Sequence, residues 1–297
     1  MNITSLPEDL NLASHSSMQV FDYFVDNNYQ RKKINLTKNT FSFLLEGTKE
    51  VITNDKSTII GNSNFLVIKS GNCLMTETIS TTNKTYRSIL LFFTDELLLD
   101  FLEKNKLNSV PPPAGPSFHV CRYDNYINHY VESLQKINRL NTTLQADLLK
   151  AKFEEIMIYL TQKEGYAFIN SLLKSQDSKT LRLINIVENS KLKKLSLQEL
   201  SFLCNMSLST FKRAFYKQYQ TAPVKWFQER RLEHSAFLLS TQKKRPIDLY
   251  EEAGYENLSN FVQAFKKKYG STPKQFQLEK MNFYHYFLNS NQSIKSE

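Results

Sequence analysis

One stretch of this 297-residue chain occurs twice. A shift of fifty positions lays Leu208 on Leu258, Ser209 on Ser259, Phe211 on Phe261 and Ala214 on Ala264. It also lays Phe215 on Phe265, Lys217 on Lys267, Tyr219 on Tyr269 and Pro223 on Pro273. These eight identities between 208–223 and 258–273 stand in register without a gap. A repeat of this density marks two copies of one supersecondary unit. The second copy reads as a turn, a basic helix and a stop. Gly254 adopts positive φ at no steric cost and suits a bend between helices. Asn257 or Ser259 supplies the N-cap. Phe261, Phe265 and Tyr269 recur every four residues and form one apolar stripe. Gly270 and Pro273 end the helix. In the first copy Ser196 to Glu199 reads as a capping box, Asn205 sits near the bend, and Gln220 stands where the second copy has Gly270. The expectation is two tandem helix-turn-helix units, at 197–218 and 247–268, the second opening with a helix from Ile247 to Ala253. A long helix, Val224–Leu239, joins them after Pro223.

The charge is placed to match. The formal net charge is +9. From Lys179 to Lys280 there are 19 Lys+Arg against 9 Asp+Glu, while the remainder holds 19 against 20. The whole positive excess therefore lies in the repeat-bearing third, the electrostatic footprint of nucleic-acid binding. A major groove admits an α-helix and shows each base pair as a distinct donor and acceptor pattern. The second helix of a helix-turn-helix enters it. The candidate base readers are Ser209, Thr210, Lys212 and Arg213 in the first copy and Ser259, Asn260 and Gln263 in the second. Arginine grips guanine with two bonds, worth about 1–3 kcal/mol of discrimination, and Asn and Gln match the adenine edge. Lys217, Lys266, Lys267 and Lys268 are the candidate phosphate contacts, which confer affinity and salt dependence. Each lysine also has a plain reading as a solvated side chain, and Arg213 one as the partner of Glu229 or Glu233. Phe211, Phe215, Phe261 and Phe265 belong to the core.

The rest of the chain has a different texture. Residues 1–14 are polar and irregular. From Met18 to Phe93, short β-branched and aromatic runs alternate with Gly, Asn, Asp and Ser clusters, as in many strands joined by tight turns. Such a pattern closes into a barrel or sandwich, with an interior expected from Phe41, Phe43, Leu45, Phe65, Val67, Ile89, Leu91 and Phe93. Thr94–Leu107 turns helical, and Pro111, Pro112 and Pro113 break the chain. Two amphipathic helices follow between Asn125 and Lys163. One carries the stripe Tyr126, Tyr130, Leu134 and Ile137; the other carries Leu144, Leu148, Phe153, Ile156, Met157 and Leu160. These faces must be buried, either on the barrel or in a homodimer. The fold class is thus α+β and multidomain: a barrel over 1–120, helices over 121–165, a linker over 166–178, an all-α domain over 179–280 and a tail over 281–297. Cys73, Cys121 and Cys204 fit neither a disulfide framework nor a zinc spacing and read as buried thiols. His15, His119 and His129 are scattered, so no metal or cofactor is expected. No apolar run spans a membrane, and the N-terminus lacks the pattern of a signal peptide, so a cytoplasmic location is expected.

The region Leu197–Pro273 resembles the DNA-binding domain of AraC/XylS-type bacterial transcription regulators. The first unit shows the texture S-L-x-x-L-A…M-S-x-x-x-F-x-R-x-F as S-L-Q-E-L-S…M-S-L-S-T-F-K-R-A-F. The joining stretch places Arg231, Leu232, Leu238 and Leu239 at family positions. The second unit fits G-[FY]-x-[SN]-x-S-x-F-x-x-x-F-[KR]-[KR]-x-[FY]-G-x-[TS]-P throughout. Ser201 and Tyr250 replace the usual Ala, and Pro246 replaces a branched apolar residue. The resemblance implies no catalysis and a regulator, an activator in the leading reading. It would read adjacent major grooves of promoter DNA with the residues named above. It also implies RNA polymerase and a second copy of the chain as partners. The N-terminal strands look like the cupin-type barrel that many family members use for regulation, with a small-molecule or protein effector. The alternative is a cupin-type isomerase or oxygenase fused to a DNA-binding module.

Overall fold

Short apolar runs punctuated by turn residues form ten strands among the residues that the computed structural model describes: 3–10, 16–27, 31–107, 115–140, 142–173, 179–242 and 244–280. Residues 1, 2 and 11–14 of the irregular 1–14 stretch, with His15, the proline run 111–113, linker residues 174–178, Lys243 and the tail 281–297, lie outside the described residues. The strands are β1 (Ile3–Leu6), β2 (Met18–Val25), β3 (Lys32–Leu36), β4 (Asn39–Glu46), β5 (Thr48–Ile52), β6 (Ser57–Ile60), β7 (Asn64–Ile68), β8 (Gly71–Thr78), β9 (Tyr86–Phe93) and β10 (Phe118–Arg122). They make two five-stranded sheets, ordered β1-β3-β8-β5-β6 and β10-β7-β4-β9-β2, rather than one closed cylinder. The pairing is antiparallel except for β1 on β3. The chain passes from one sheet to the other between β4 and β5 at Gly47, where φ is +87°. A Cβ there would lie 2.4 Å from the Thr78 carbonyl oxygen, so only glycine fits.

The interior of this sandwich differs from the sequence expectation. Phe41, Phe43, Phe65, Val67, Ile89, Leu91 and Phe93 are fully buried, but they pack with Leu98, Phe101, Tyr130 and Phe153 from the helices. Leu45 packs, partly buried, on the same cluster. The layer between the sheets is the alternate set, Leu44, Leu66, Ile68 and Tyr86 against Ile34, Leu36, Val51 and Met75. The central strands are buried on both faces, so period-two alternation cannot say which face is inside.

The covering helices are α1 (Asp95–Lys104), α2 (Asn125–Ile137), α3 (Thr142–Glu164) and α4 (Tyr166–Ser171). On α2, Ile127, Tyr130, Val131, Leu134 and Ile137 are buried, whereas Tyr126 is 42% exposed. On α3, Phe153, Ile156, Met157 and Leu160 are buried and Leu144 is 48% exposed. Helix α4 occupies the start of the stretch expected to be a linker. Its Phe168 and Ile169, with Leu172 and Leu173 after it, are buried in the same core.

Asp124 fastens α2 to α3. One oxygen caps α2 by accepting from the Ile127 amide at 2.9 Å, and the other accepts from Tyr159 and Lys163. Partial burial pushes this carboxyl up, but the hydrogen bonds from Lys163, Tyr159 and Ile127 prevail and hold it at about 2. A depressed carboxyl pKa contributes stability above the unfolded value of about 3.9, and that stability is lost as pH falls through the folded value. Asp124→Asn keeps a capping oxygen but removes the charge. Its melting temperature is expected below wild type at neutral pH, with the gap closing as pH falls from about 4 to about 2. A gap that is constant over that range in thermal melts would contradict this role.

The remaining helices are α5 (Lys179–Ser190), α6 (Leu197–Leu203), α7 (Leu208–Tyr219), α8 (Pro223–Thr241), α9 (Pro246–Leu249) and α10 (Leu258–Tyr269), followed by a helical stretch over 273–280. The chain divides into two compact units, Met1–Ile186 with Gln198–Ser207, and Val187–Leu197 with Leu208–Glu297. In the second, Leu232, Ala236, Leu238, Leu239, Leu249, Ala253, Phe261 and Phe265 form one core.

Candidate nucleic-acid interface

Both bends are built from the same three hydrogen bonds. In the first copy the amides of Cys204, Asn205 and Met206 donate to the carbonyls of Leu200, Phe202 and Ser201, at 3.0, 2.9 and 2.9 Å. In the second, Ala253, Gly254 and Tyr255 donate to Leu249, Glu251 and Tyr250, at 2.9, 2.9 and 3.0 Å. Asn205 and Gly254 occupy the left-handed position, with φ of 56° and 82°. The bends are therefore related by 49 residues and the recognition helices by fifty. The second copy holds one more residue between bend and helix, which the ungapped repeat conceals.

That extra step leads into Asn257, whose side chain caps α10 by accepting from the Asn260 amide at 2.9 Å. Helix α9 is one turn, shorter than the expected Ile247–Ala253, and Pro246 occupies its first turn. Proline fits there because the amide it lacks would be unpaired anyway. Tyr250 packs partly buried on the core, with its hydroxyl on Glu251 at 3.0 Å. Gly254 lies over the Arg231 guanidinium, and a Cβ would meet Arg231 Nε at 3.2 Å. Ser201, the other departure from Ala, is 5% exposed and its hydroxyl donates to the Gln198 carbonyl at 3.1 Å, so the polar group is satisfied.

The recognition helices divide cleanly into two faces. Phe211 and Phe215 on α7 and Phe261 and Phe265 on α10 are all 0% exposed. Phe215 packs on Tyr219, Trp226 and Phe227, and Phe265 on Tyr269 and Phe276. Among the candidate readers, Ser209, Lys212 and Arg213 are exposed and Thr210 is half-buried; Ser259, Asn260 and Gln263 are exposed. Lys217, Lys266 and Lys267 are exposed as well. The helix ends differ in residue but not in geometry: Gln220 takes φ 52° where Gly270 takes 78°.

Lys268 is placed differently from its neighbours. Its ammonium donates to Glu233 Oε1 at 3.0 Å and to the Glu229 carbonyl at 3.1 Å, and its side chain is 25% exposed. It ties α10 to α8. The acids weighed as partners for Arg213 pair elsewhere, Glu233 with Arg230 and Lys268 and Glu229 with Lys225. Away from this face, His119 accepts or donates at 2.7 Å to the Ser171 hydroxyl, and His129 bonds the Asn125 carbonyl. Among the described residues no three His, Cys, Asp or Glu side chains gather as a metal site, and no helix is long and apolar enough to cross a membrane. Cys73, Cys121 and Cys204 are free and buried.

Comparison with known proteins matches two parts of the chain to described families. Residues 39–171 match the family described as ExsA N-terminal regulatory domain, and residues 200–279, which hold both recognition helices, match the helix-turn-helix domain family. These matches support the resemblance to AraC/XylS-type regulators. Among relatives, the virulence regulon transcriptional activator VirF of Yersinia enterocolitica is 30% identical over 135 residues, 45% of this chain and 50% of that protein. The HTH-type transcriptional regulator ExsA of Pseudomonas aeruginosa is 29% identical over 125 residues, 42% of this chain and 45% of that protein. The chain thus spans about half the length of the curated relatives it matches. The solved structure of ToxT from Vibrio cholerae covers 89% of this chain and 98% of its own, at 12% identity and a TM-score of 0.38.

Proposed function

We propose that this protein is a sequence-specific DNA-binding transcription activator without catalysis of its own, and that it works in the cytoplasm. The observation that carries the reading is the two-faced construction of α7 and α10. Each anchors by two fully buried phenylalanines and turns polar and basic side chains outward. The names of the relatives, a transcriptional activator and a transcriptional regulator, support it. Base reading falls to Ser209, Thr210, Lys212, Arg213, Ser259, Asn260 and Gln263, and phosphate contact to Lys217, Lys266 and Lys267. Lys268, held by Glu233, serves instead to position α10. The N-terminal body runs through α4 to Leu173, whose side chains share its core, and the reader begins at about residue 179. A cupin-like N-terminal sandwich controls the reader. RNA polymerase is the partner at the promoter, and a second copy docks through Tyr126, Leu144 and Ile158, which are 42, 48 and 49% exposed on α2 and α3. Nuclease footprinting of the full chain tests the core of this reading. Protection should span two successive major grooves, about 34 Å apart, on some promoter duplexes and not on scrambled ones. Equal protection of any duplex would overturn it.

A further inference from the structure

The second compact unit holds a guanidinium whose charge is not met. Arg231 on α8 is half-buried, and its Nε is buried without a hydrogen-bond partner. Gly254 packs against that nitrogen, where an added Cβ would stand 3.2 Å away. Among the described residues no carboxylate pairs with Arg231. Glu229 pairs with Lys225, Glu233 with Arg230 and Lys268, and Glu252 with Lys244. A guanidinium carries five donors, and burying it unpaired is costly. Burial lowers its pKa from the usual value, against the pull of Tyr255.

Arg231 stands on the wall of a cavity of about 470 Å³, a size typical of small-molecule sites. Leu192 and Lys194 bring the loop after α5 to this wall. His234 and Leu238 come from α8, and Lys244 and Glu252 from either side of α9. Three cationic side chains, Lys194, Arg231 and Lys244, stand against one acid, Glu252, an excess of two positive charges before His234 is counted. Leu192 and Leu238 supply apolar surface beside them.

We propose that this cavity binds a phosphate monoester, its phosphate taken by Arg231 with Lys194 and Lys244 and its body resting on Leu192 and Leu238. A phosphate monoester carries close to two negative charges at neutral pH, which matches the excess of two. Arginine meets phosphate oxygens with two parallel bonds, a geometry lysine does not supply. A carboxylate would leave one positive charge unmatched. A backbone phosphate of DNA carries one charge and is esterified on both sides, so it fits a recessed pocket less well than a terminal phosphate. Such a ligand would touch the reading unit itself rather than the N-terminal sandwich.

Calorimetric titration of the full chain with phenyl phosphate and with benzoate, in phosphate-free buffer, tests the site. Phenyl phosphate should bind more tightly by about ten- to a hundredfold, the scale of one hydrogen bond to a charged group. Arg231→Met removes the guanidinium and should bring phenyl phosphate down to the affinity of benzoate. Leu192→Trp, at a 41% exposed position on the cavity wall, should fill the space and lose both probes. Lys225→Gln removes a lysine with a 72% exposed side chain outside the cavity and should change nothing. Equal affinity of the wild type for the two probes, no saturable binding of phenyl phosphate, or its undiminished binding in Arg231→Met or Leu192→Trp would overturn the proposal. So would an equal loss in Lys225→Gln, which would mark attraction to a basic surface at large. Should Arg231→Met fail to fold, the two probes on wild type and the other variants still decide. Saturating duplex DNA should leave phenyl phosphate bound; displacement by the duplex would assign the pocket to the DNA backbone and overturn the monoester. The first titrations contain no DNA, so their result is independent of the proposed transcriptional role.

Discussion

Phe265→Ala is expected to cost about 3–5 kcal/mol and to abolish DNA binding, because it empties the centre of the second helix-turn-helix. The ring is 0% exposed and meets Phe261, Tyr269 and Phe276 with centroids 5.8, 4.6 and 5.4 Å away. Nothing adjacent can collapse into the gap without moving α10, which carries Ser259, Asn260, Gln263, Lys266 and Lys267. Phe215→Ala should act alike in the first copy, where the ring lies between Tyr219, Trp226 and Phe227. Chemical denaturation followed by circular dichroism, with fluorescence anisotropy on operator DNA, measures both effects. A Phe265→Ala protein that keeps wild-type stability and affinity would show that the buried stripe does not set the position of α10.

The second large effect separates reading from holding. Arg213→Ala and Gln263→Ala should each lose about 1–3 kcal/mol of discrimination, at different positions of the operator. Lys267→Ala should weaken all duplexes evenly and lower the salt slope by about one contact. Lys268→Ala should leave the salt slope nearly unchanged, because its ammonium is engaged by Glu233 and the Glu229 carbonyl. Affinities on a panel of single-substitution duplexes at several salt concentrations decide the matter. Arg213→Ala and Lys267→Ala behaving identically would refute the division.

Much of the helical third was legible in the residues. The phenylalanine stripes, the left-handed Asn205 and Gly254, the Asn257 cap and the Pro223 start are local features, each fixed by the chemistry of one residue or one turn. Lys268 was not legible as a tether. It looks like its neighbours Lys266 and Lys267, and only the approach of α8 brings Glu233 within 3.0 Å. Charge and exposure in a helix are read from spacing, but pairing across helices depends on which faces meet. Lys49 on β5, which is 2% exposed, was missed for a similar reason. In T-K-E-V-I it reads as a solvated position of an ordinary strand, and nothing local announces that two sheets close over it.

By itself, then, the sequence determined the repeated reader, its polarity of faces and the placement of positive charge, because helical period and turn chemistry act within a few residues. Tertiary structure alone decided which face of the central strands looks inward. Phe41, Phe43 and Leu91 would have served either side, and the helices α1 to α3 claimed them while Leu44, Leu66 and Ile68 filled the space between sheets. The physical reason is that burial on two faces leaves the local pattern of apolar residues unchanged, and only packing against distant parts of the chain distinguishes the alternatives.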